Sequence, residues 1–259
     1  MLAGKNAIIT GARSGIGLAT LQLFAKQGAN CWAIVHRDDL EFLDKIDSWQ
    51  KQYNVWIRVV NIDLSDSNSI KSGIKEIIQE KKPIDVLVNA AGIVSPNRLF
   101  SMTKMEDIRR IMDVNFFSIL ETIQLTMRVM QRQRKGSIIN IASIAADCED
   151  SSQLEYSASK AALVCATKKL ARELAPSGIR VNAVSPGWTE TGMLEVMDNL
   201  ANQIVSDGLP MHTYANPDEI ASVCLFLASD LSSRISGANI KVDGGGFDLR
   251  TFISKQFEK

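Results

Sequence analysis

A serine, a tyrosine and a lysine follow one another at fixed spacing between positions 143 and 160. Tyr156 and Lys160 are four residues apart, so on a helix they share one face. A lysine cation beside a phenol is expected to lower the pKa of the tyrosine from its usual value near ~10. Ser143 would hold a substrate oxygen across from the phenol. The set predicts a proton donor and acceptor for alcohol–ketone interconversion, provided that a redox cofactor binds nearby; the alternative is a solvated helix face.

A glycine-rich turn near the amino terminus predicts that cofactor site. Residues 5–10 form a short apolar run typical of a buried parallel strand, and residues 18–28 have helical periodicity. The turn between them reads GARSGIG, a G-x-x-x-G-x-G pattern that departs from the usual G-x-G-x-x-G. Glycine lets the backbone approach a ligand closely, and the N-terminus of the following helix attracts a pyrophosphate. We therefore expect dinucleotide binding, with a simple turn as the alternative.

The end of the second predicted strand should choose between the two nicotinamide cofactors. The strand ends without an acidic residue and is followed by His36 and Arg37. Together with Arg13 of the glycine turn, these residues favour a 2′-phosphate and hence NADP(H) over NAD(H). Asp38 and Asp39 follow directly, and either would favour NAD(H) if it folds back to the ribose.

Composition narrows the class of protein. The 259 residues have zero formal net charge, which argues against nucleic-acid binding. The content of 46% hydrophobic and 22% charged residues is ordinary for a globular protein. No apolar run reaches the ~18 residues of a membrane span, and no signal peptide is recognisable. The four cysteines are Cys31, Cys148, Cys165 and Cys224, and they form no C-x-x-C pair. We therefore expect buried thiols in a cytoplasmic protein without a metal site.

Strands and helices alternate from end to end, which predicts an α/β fold. We expect one Rossmann-like domain over residues 1–259, a doubly wound parallel sheet of about seven strands with helices on both faces. A substrate lid is predicted at 188–209. The predicted strands cover residues 5–10, 30–35, 55–62, 84–92, 136–143, 178–184 and 239–242, and the predicted later helices cover 39–52, 104–134, 152–174 and 217–228.

Several single residues have two interpretations. Asp63 ends a predicted strand, where it would contact an adenine or cap the next helix, with Ser65 or Asp66 as the cap. Asn115 lies inside a predicted helix, which it would distort while binding a water, or where a backbone carbonyl would satisfy its amide.

Taken together, these motifs resemble the short-chain dehydrogenase/reductase family over nearly the whole chain. Their order along the chain is what makes the resemblance specific. The matching segments are 10–17 (TGARSGIG), Asp63, 89–92 (NAAG), Asn115, Ser143, 156–160 (YSASK), 186–187 (PG) and 242–245 (VDGG). Ala90 departs from the second asparagine of many relatives.

The resemblance implies a catalytic tetrad of Asn115, Ser143, Tyr156 and Lys160. The tyrosine would be the general acid for ketone reduction and the base for alcohol oxidation. The lysine would lower the tyrosine pKa and bind the nicotinamide ribose, and the serine would orient the carbonyl. The asparagine would hold a water in a proton relay to the lysine.

The residues and the resemblance together predict the cofactor contacts. By resemblance, the pyrophosphate lies at 14–16, the adenine near Asp63 and Leu64, the nicotinamide-side ribose along 89–91, and the carboxamide and phosphate near 189–191. The full set is Gly11, Arg13, Ser14, Gly15, Ile16, Gly17, His36, Arg37, Asp63, Leu64, Asn89, Ala91, Gly92, Tyr156, Lys160, Pro186, Gly187, Thr189 and Thr191.

The resemblance also implies partners and substrates. A homotetramer would pack the helices at 104–134 and 152–174 across one interface and the segment 242–245 across another. The chain is similar to bacterial 3-oxoacyl-[acyl-carrier-protein] reductases, which implies a 3-oxoacyl thioester substrate. Arg134 matches a position that docks the acidic carrier, whereas Ser177 stands where a second arginine is usual.

Other substrates and one other function stay open at this point. Sugars, polyols, steroids and small ketones are alternatives, as is a protein that binds NADP without turnover. The substrate pocket is expected to include Gln153, Leu154, Trp188 and Met193.

Overall fold

Seven strands alternate with helices in the computed structural model, which describes residues 1–96, 98–147, 153–192 and 210–246. The strands are β1 (Asn6–Thr10), β2 (Asn30–Val35), β3 (Ile57–Asn61), β4 (Val86–Asn89), β5 (Gly136–Ile141), β6 (Ile179–Pro186) and β7 (Asn239–Val242). The α-helices are α1 (Gly15–Lys26), α2 (Leu40–Tyr53), α3 (Ser67–Gln79), α4 (Met105–Met112), α5 (Ser118–Gln133), α6 (Leu154–Leu174) and α7 (Pro217–Ala228).

The strands form a single parallel sheet in the order β3-β2-β1-β4-β5-β6-β7. The chain works outward from β1 to β3 and then returns to β4, which pairs with the other side of β1. The gap between the ends of β1 and β4 is therefore the topological switch point, where open α/β sheets bind ligands. Thr10 lies beside Asn89, and Asn89 beside Asn140, so the carboxyl ends of three strands are in register.

Helices cover both faces of the sheet, which explains why the strands are apolar without alternation. Ile9 packs on the face covered by α1, α2 and α7, whereas its neighbour Ile8 packs on the face covered by α3, α5 and α6. Successive strand residues point to opposite faces, so a strand buried on both needs apolar residues at every position. The predicted doubly wound α/β fold is confirmed.

The predicted helix at 104–134 forms, but a π-helical turn interrupts it. It consists of α4, a π-helical turn at Asp113–Phe117, and α5. Arg134 follows in the left-handed conformation with φ 53° and ends the helix. The sequence predicted that Asn115 distorts the helix, and Asn115 lies in the π turn.

Other boundaries moved by a few residues. The predicted strand at 84–92 is shorter because the backbone N–H groups of Ala90 and Ala91 leave the ladder and donate to the Thr10 hydroxyl, both at 3.1 Å. Asp66 caps α3, as predicted, by accepting from the Asn68 N–H.

One cysteine prediction was wrong. Cys31 and Cys224 are buried, but Cys165 is exposed because it lies on the outer face of α6, and Cys148 lies outside the described residues.

The structure describes only the first part of the predicted lid. Most of the predicted lid, residues 193–209, lies outside the described part of the chain, so the lid stays a prediction. Thr189, at its start, forms a parallel bridge with Ala215. Within the described ranges, no helix has the length and apolar character needed to cross a lipid bilayer.

Candidate active site

The glycine turn lies directly against the end of β4. A Cβ on Gly11 would lie 2.8 Å from the Ala91 Cα, and a Cβ on Gly17 would lie 2.1 Å from the Gly11 carbonyl oxygen. Neither separation is possible for a real side chain, so both positions require glycine. Gly11 also adopts φ 67°, a left-handed conformation that glycine tolerates. The turn brings the start of α1 to the switch point.

The N-terminus of α1 is open to a ligand. Ser14 is the capping residue, but its side chain makes no capping hydrogen bond, and it is exposed. The first N–H groups of a helix have no partner within it, and they carry its positive dipole end. Across the turn, Gly15 faces the Thr191 side chain, because a Cβ on Gly15 would lie 3.2 Å from Thr191 Cγ2. Two segments predicted to hold the cofactor phosphates thus lie side by side.

The Tyr156 phenol and the Ser143 hydroxyl meet near the end of β5. Ser143 follows β5 by two residues, and Tyr156 lies in the first turn of α6. Burial raises the pKa of Tyr156, while a hydrogen bond from Ser143 opposes the rise. The direction is the reverse of the lowering that the sequence predicted for a tyrosine beside a lysine. At neutral pH the phenol therefore keeps its proton.

Lys160 lies beside the Tyr156 ring but is bound to a backbone carbonyl. Its ammonium donates to the Ile141 carbonyl oxygen at 2.9 Å and lies 5.7 Å from the centre of the Tyr156 ring. The residue is 4% exposed, and burial lowers its pKa to about 8. Lys160 is thus held by the end of β5, and burial, opposed by the Ser143 hydrogen bond, sets the direction of the Tyr156 pKa shift.

Asn115, in the π turn, is the fourth residue of the predicted tetrad, and its side-chain amide binds the backbone of Ile93. Oδ1 accepts from the Ile93 N–H and Nδ2 donates to the Ile93 carbonyl, both at 2.8 Å. Nδ2 also lies 3.3 Å from the Ser159 hydroxyl. A Cβ on Gly92 would lie 3.3 Å from Asn115 Oδ1 and 3.4 Å from Lys160 Nζ. The helix is distorted at Asn115, and backbone groups satisfy the Asn115 amide, so both of these expectations hold. The water relay stays a prediction.

Asn89 was predicted to lie along the cofactor, but its side chain belongs to the sheet. The residue is fully buried, and Nδ2 donates to Asn140 Oδ1 at 2.8 Å. Asn140 in turn donates to the Thr167 hydroxyl at 2.9 Å. A hydrogen-bonded chain thus connects β4, β5 and α6 under the site. Asn89 Oδ1 is buried without a partner among the described residues, and its contact with the cofactor stays a prediction.

At the end of β2 lie the residues predicted to bind a 2′-phosphate, and two of them already contact acidic side chains. Arg13 forms an ion pair with Asp39, which also caps α2 by accepting from the Phe42 N–H. That N–H and the Arg13 guanidinium hold the pKa of Asp39 below its usual range. His36 Nδ1 lies 3.8 Å from Asp63 Oδ1, and Arg37 is exposed without an ion pair to any described residue.

Asp63, shortly after the end of β3, binds Ser65. Its Oδ1 accepts from the Ser65 N–H at 2.8 Å and from the Ser65 hydroxyl at 2.6 Å. These two bonds lower the pKa of Asp63. Asp63 therefore closes a local turn, whereas Asp66 caps α3, and the adenine contact of Asp63 stays a prediction. The neighbouring Leu64 is half-buried.

The end of β6 provides the last predicted cofactor residues. Pro186 is the final strand residue, and the Gly187 N–H donates to the Val242 carbonyl oxygen at 2.9 Å. Thr189 is buried, and its hydroxyl donates to the Gly187 carbonyl at 3.0 Å. The Thr189 hydroxyl is thus engaged within its own turn.

Comparison with known proteins identifies the family. A family model described as Enoyl-(Acyl carrier protein) reductase matches residues 11–246. A curated relative, 3-oxoacyl-[acyl-carrier-protein] reductase FabG of Thermotoga maritima, is 38% identical over 94% of this chain and 98% of its own. The chain belongs to the short-chain dehydrogenase/reductase family.

Solved structures agree with this assignment. A short-chain type dehydrogenase/reductase from Mycobacterium marinum matches with a TM-score of 0.86 and 32% identity, covering 94% of this chain and 96% of that one. A dehydrogenase/reductase from Sinorhizobium meliloti matches with a TM-score of 0.85 and 32% identity, covering 94% of this chain and 95% of that one. As a short-chain dehydrogenase/reductase, this protein is an NAD(P)-dependent oxidoreductase.

The residues of this short-chain dehydrogenase/reductase fit a dinucleotide. The observation that tests the fit is the cradle at the start of α1, where Ser14 is exposed and makes no capping hydrogen bond. Close packing of Gly11 on Ala91 and of Gly15 on Thr191 brings this start to the switch point. The side-chain-free backbone and the open start of α1 leave donors for an anionic ligand. Arg13, Ser14 and Thr191 are the side chains around this cradle.

Sequence reasoning missed a second layer of this site. Glu155, directly before Tyr156, is 1% exposed and accepts a hydrogen bond from the Ser95 hydroxyl. The Gln153 side chain donates to the Ser95 carbonyl oxygen at 2.8 Å. A glutamate in the first turn of a helix reads as an ordinary favourable charge, so nothing in the sequence marked it as buried.

Proposed function

We propose that this protein reduces the ketone of a 3-oxoacyl thioester to a secondary alcohol with NADP(H). The observation that carries the proposal is the proximity of Ser143, Tyr156 and Lys160 beyond the end of β5, next to Gly92 at the exit of β4. The 3-oxoacyl class is supported by the names of the relatives, several of which are 3-oxoacyl-[acyl-carrier-protein] reductases.

In the proposed reaction the protein positions the substrate and moves a proton. The cofactor, when bound, supplies the hydride to the carbonyl carbon. Ser143 donates a hydrogen bond to the carbonyl oxygen, and Tyr156 transfers its proton to that oxygen. The raised pKa of Tyr156 suits this direction, since the phenol is protonated at neutral pH. Lys160 would bind the nicotinamide ribose and help to return a proton to the phenol, with a water held near Asn115.

The cofactor preference for NADP(H) is supported by the cations at the end of β2. Arg13 and Arg37 are exposed there with His36, and no described acid other than Asp39 and Asp63 pairs with this group. A guanidinium recognises a phosphate by paired hydrogen bonds. Asp39 is the residue that opposes this preference, because it engages Arg13.

Two aspects of partner binding are also proposed. The exposed apolar side chains Phe117 and Leu154, 54% and 48% exposed, support packing between copies in a homotetramer. Arg134 is exposed and makes no ion pair within the described ranges; its guanidinium donates to the Pro176 carbonyl at 3.1 Å. An acidic carrier protein bearing the thioester could contact Arg134, although Ser177 supplies no second cation.

The test measures oxidation of NADPH by the purified protein with acetoacetyl thioesters of coenzyme A and of a carrier protein. We expect turnover, and we expect Tyr156→Phe to reduce kcat about 10³-fold because the proton donor is removed. The affinity for NADPH should stay unchanged, as measured by fluorescence titration.

The controls in this experiment separate the alternatives. A 2-enoyl thioester tests the activity named in the matching family model, and a panel of sugars, polyols, steroids and small ketones tests the other substrate classes. Turnover retained by the Tyr156→Phe variant would contradict the role of the phenol. Silence of every substrate despite tight NADPH binding would instead support a non-catalytic protein.

A further inference from the structure

A buried carboxylate beside the proposed general acid has no part in the proposed reaction. Glu155 is the second residue of α6 and is 1% exposed. Its Oε1 accepts from the Ser95 hydroxyl, whereas its Oε2 is buried without a hydrogen-bond partner among the described residues. Burying a carboxylate with one oxygen unsatisfied is unfavourable for folding. A residue that weakens the fold at this position is a candidate for function.

The partner of Glu155 lies in the segment that continues from the active site. A Cβ on Gly92 would contact both Asn115 and Lys160, so the residues after it, 93–96, begin at the tetrad. Asn115 binds this segment at its start through both backbone groups of Ile93. Glu155 binds it two residues later, at Ser95.

Gln153 adds two more connections to the same region. Its side chain donates to the Ser95 carbonyl at 2.8 Å, and its backbone N–H donates to the Arg98 carbonyl at 3.3 Å. Gln153 adopts φ 50°, a left-handed conformation that is uncommon for this residue type and that directs the chain into α6. The segment is therefore held by the two helical elements that carry Asn115 and Tyr156.

We propose that Glu155 is a positioning residue that fixes segment 93–96 to the first turn of α6. In this position the segment runs from Gly92, which borders Asn115 and Lys160, to the residue directly before Tyr156, so fixing it fixes the backbone next to the proposed proton donor. A carboxylate suits the task because hydrogen bonds to a charged acceptor are stronger than those to a neutral one. The N-terminal end of α6 also favours a negative charge there. The kinetic consequence rests on the proposed function; the structural consequence does not.

The test compares Glu155→Gln with the unchanged protein. Glutamine keeps the size of the side chain but weakens the bond from Ser95. We expect KM for the 3-oxoacyl thioester to rise about 10-fold, with kcat and the Kd of NADPH changing less than twofold. Tm should stay the same or increase, because the buried charge is gone. In the protein without substrate, hydrogen exchange of the backbone amides of residues 93–95 should become faster.

Two further variants sharpen the result. Ser95→Ala removes the same hydrogen bond from the other side, so it should shift KM and exchange in the same direction. The double variant should be no worse than either single one, since both remove a single interaction. Glu173→Gln, at the exposed opposite end of α6, is the matched control and should change neither quantity.

The outcomes that overturn the proposal are distinct from a failure of the proposed function. A fall in Tm that parallels the loss of kcat/KM would make Glu155 a purely structural residue. Unchanged exchange in 93–95 would equally overturn it, and Ser95→Ala provides this measurement if Glu155→Gln does not fold. If the unchanged protein reduces no 3-oxoacyl thioester, the proposed function fails, but hydrogen exchange still decides the role of Glu155.

Discussion

At the scale of single residues, Asp39 serves two neighbours at once. It caps α2 through the Phe42 N–H and holds the Arg13 guanidinium. A 2′-phosphate that binds Arg13 must compete with this carboxylate. The sequence left open whether Asp38 or Asp39 turns back toward a ribose, and in the structure Asp39 turns toward Arg13 instead.

This double role makes Asp39→Asn an informative substitution. Asparagine is as good a helix cap as aspartate, so α2 should be preserved while the charge that opposes a phosphate is removed. We expect the ratio of the NADH and NADPH dissociation constants to shift toward NADPH by about 3- to 10-fold, measured by fluorescence titration of each cofactor. Asp38→Asn is the control and should leave the ratio unchanged. A shift toward NADH in the Asp39 variant would contradict the assigned role of Arg13.

At the scale of elements, the π turn at Asp113–Phe117 connects two helices and binds a loop. π turns occur mostly as single insertions in longer helices and frequently at functional sites. Here the insertion contains Asn115, whose amide holds both backbone groups of Ile93. The distortion therefore places one side chain where it can fix the exit of β4.

A second buried asparagine allows the structural and catalytic roles of Asn115 to be separated. Asn182 makes the same kind of contact on β6, where its amide donates to the Ile235 carbonyl and accepts from the Ala238 N–H. We expect Asn115→Ala and Asn182→Ala each to lower the free energy of unfolding by about 2–3 kcal/mol, since each removes two hydrogen bonds to partly buried backbone groups. Urea titration measures this loss.

Activity should separate the two variants. Only Asn115→Ala should reduce kcat/KM by more than about 10-fold when assayed well below its unfolding transition, because only Asn115 lies beside Lys160 and Gly92. Equal activity in the two variants would reduce Asn115 to a structural residue.

At the scale of the whole molecule, the buried Lys160 makes folding depend on pH. Burial lowers its pKa from 10.5 to about 8. Below about pH 8 the ammonium is charged in both states, and its burial costs the fold about 3 kcal/mol. Between about pH 8 and 10.5 the unfolded chain binds more protons than the folded one, so this contribution to the free energy of unfolding rises with pH.

Comparison with Lys160→Met isolates that contribution. We expect the variant to be more stable than the unchanged protein at about pH 7, and the difference to narrow as the pH rises to about 9.5. The raised pKa values of Tyr156, Cys31 and Cys224 act in the opposite direction at high pH, but they are common to both proteins and cancel in the difference. Lys168→Met, at an exposed position of α6, should show no such change. A difference independent of pH would mean that Lys160 keeps its charge in the fold.

The sequence alone determined the architecture and predicted the catalytic group. Apolar strands without alternation require burial on both faces, and this requirement, with helices between them, leads to a doubly wound sheet. The spacing of Tyr156 and Lys160 is a local property of a helix, so it survives folding unchanged. Glycines at 11 and 17 were likewise readable, because a tight strand-to-helix turn requires them.

Only the tertiary structure decided what surrounds these residues. The direction of the Tyr156 pKa shift depends on burial and on the hydrogen bond with Ser143, and both result from the position of α6 beside the end of β5. The partners of Asn89, Asp39 and Glu155 come from elements 26 to 60 residues away in the chain. Such contacts are set by the sheet order and register, which no local pattern encodes, so their roles became visible only in the folded chain.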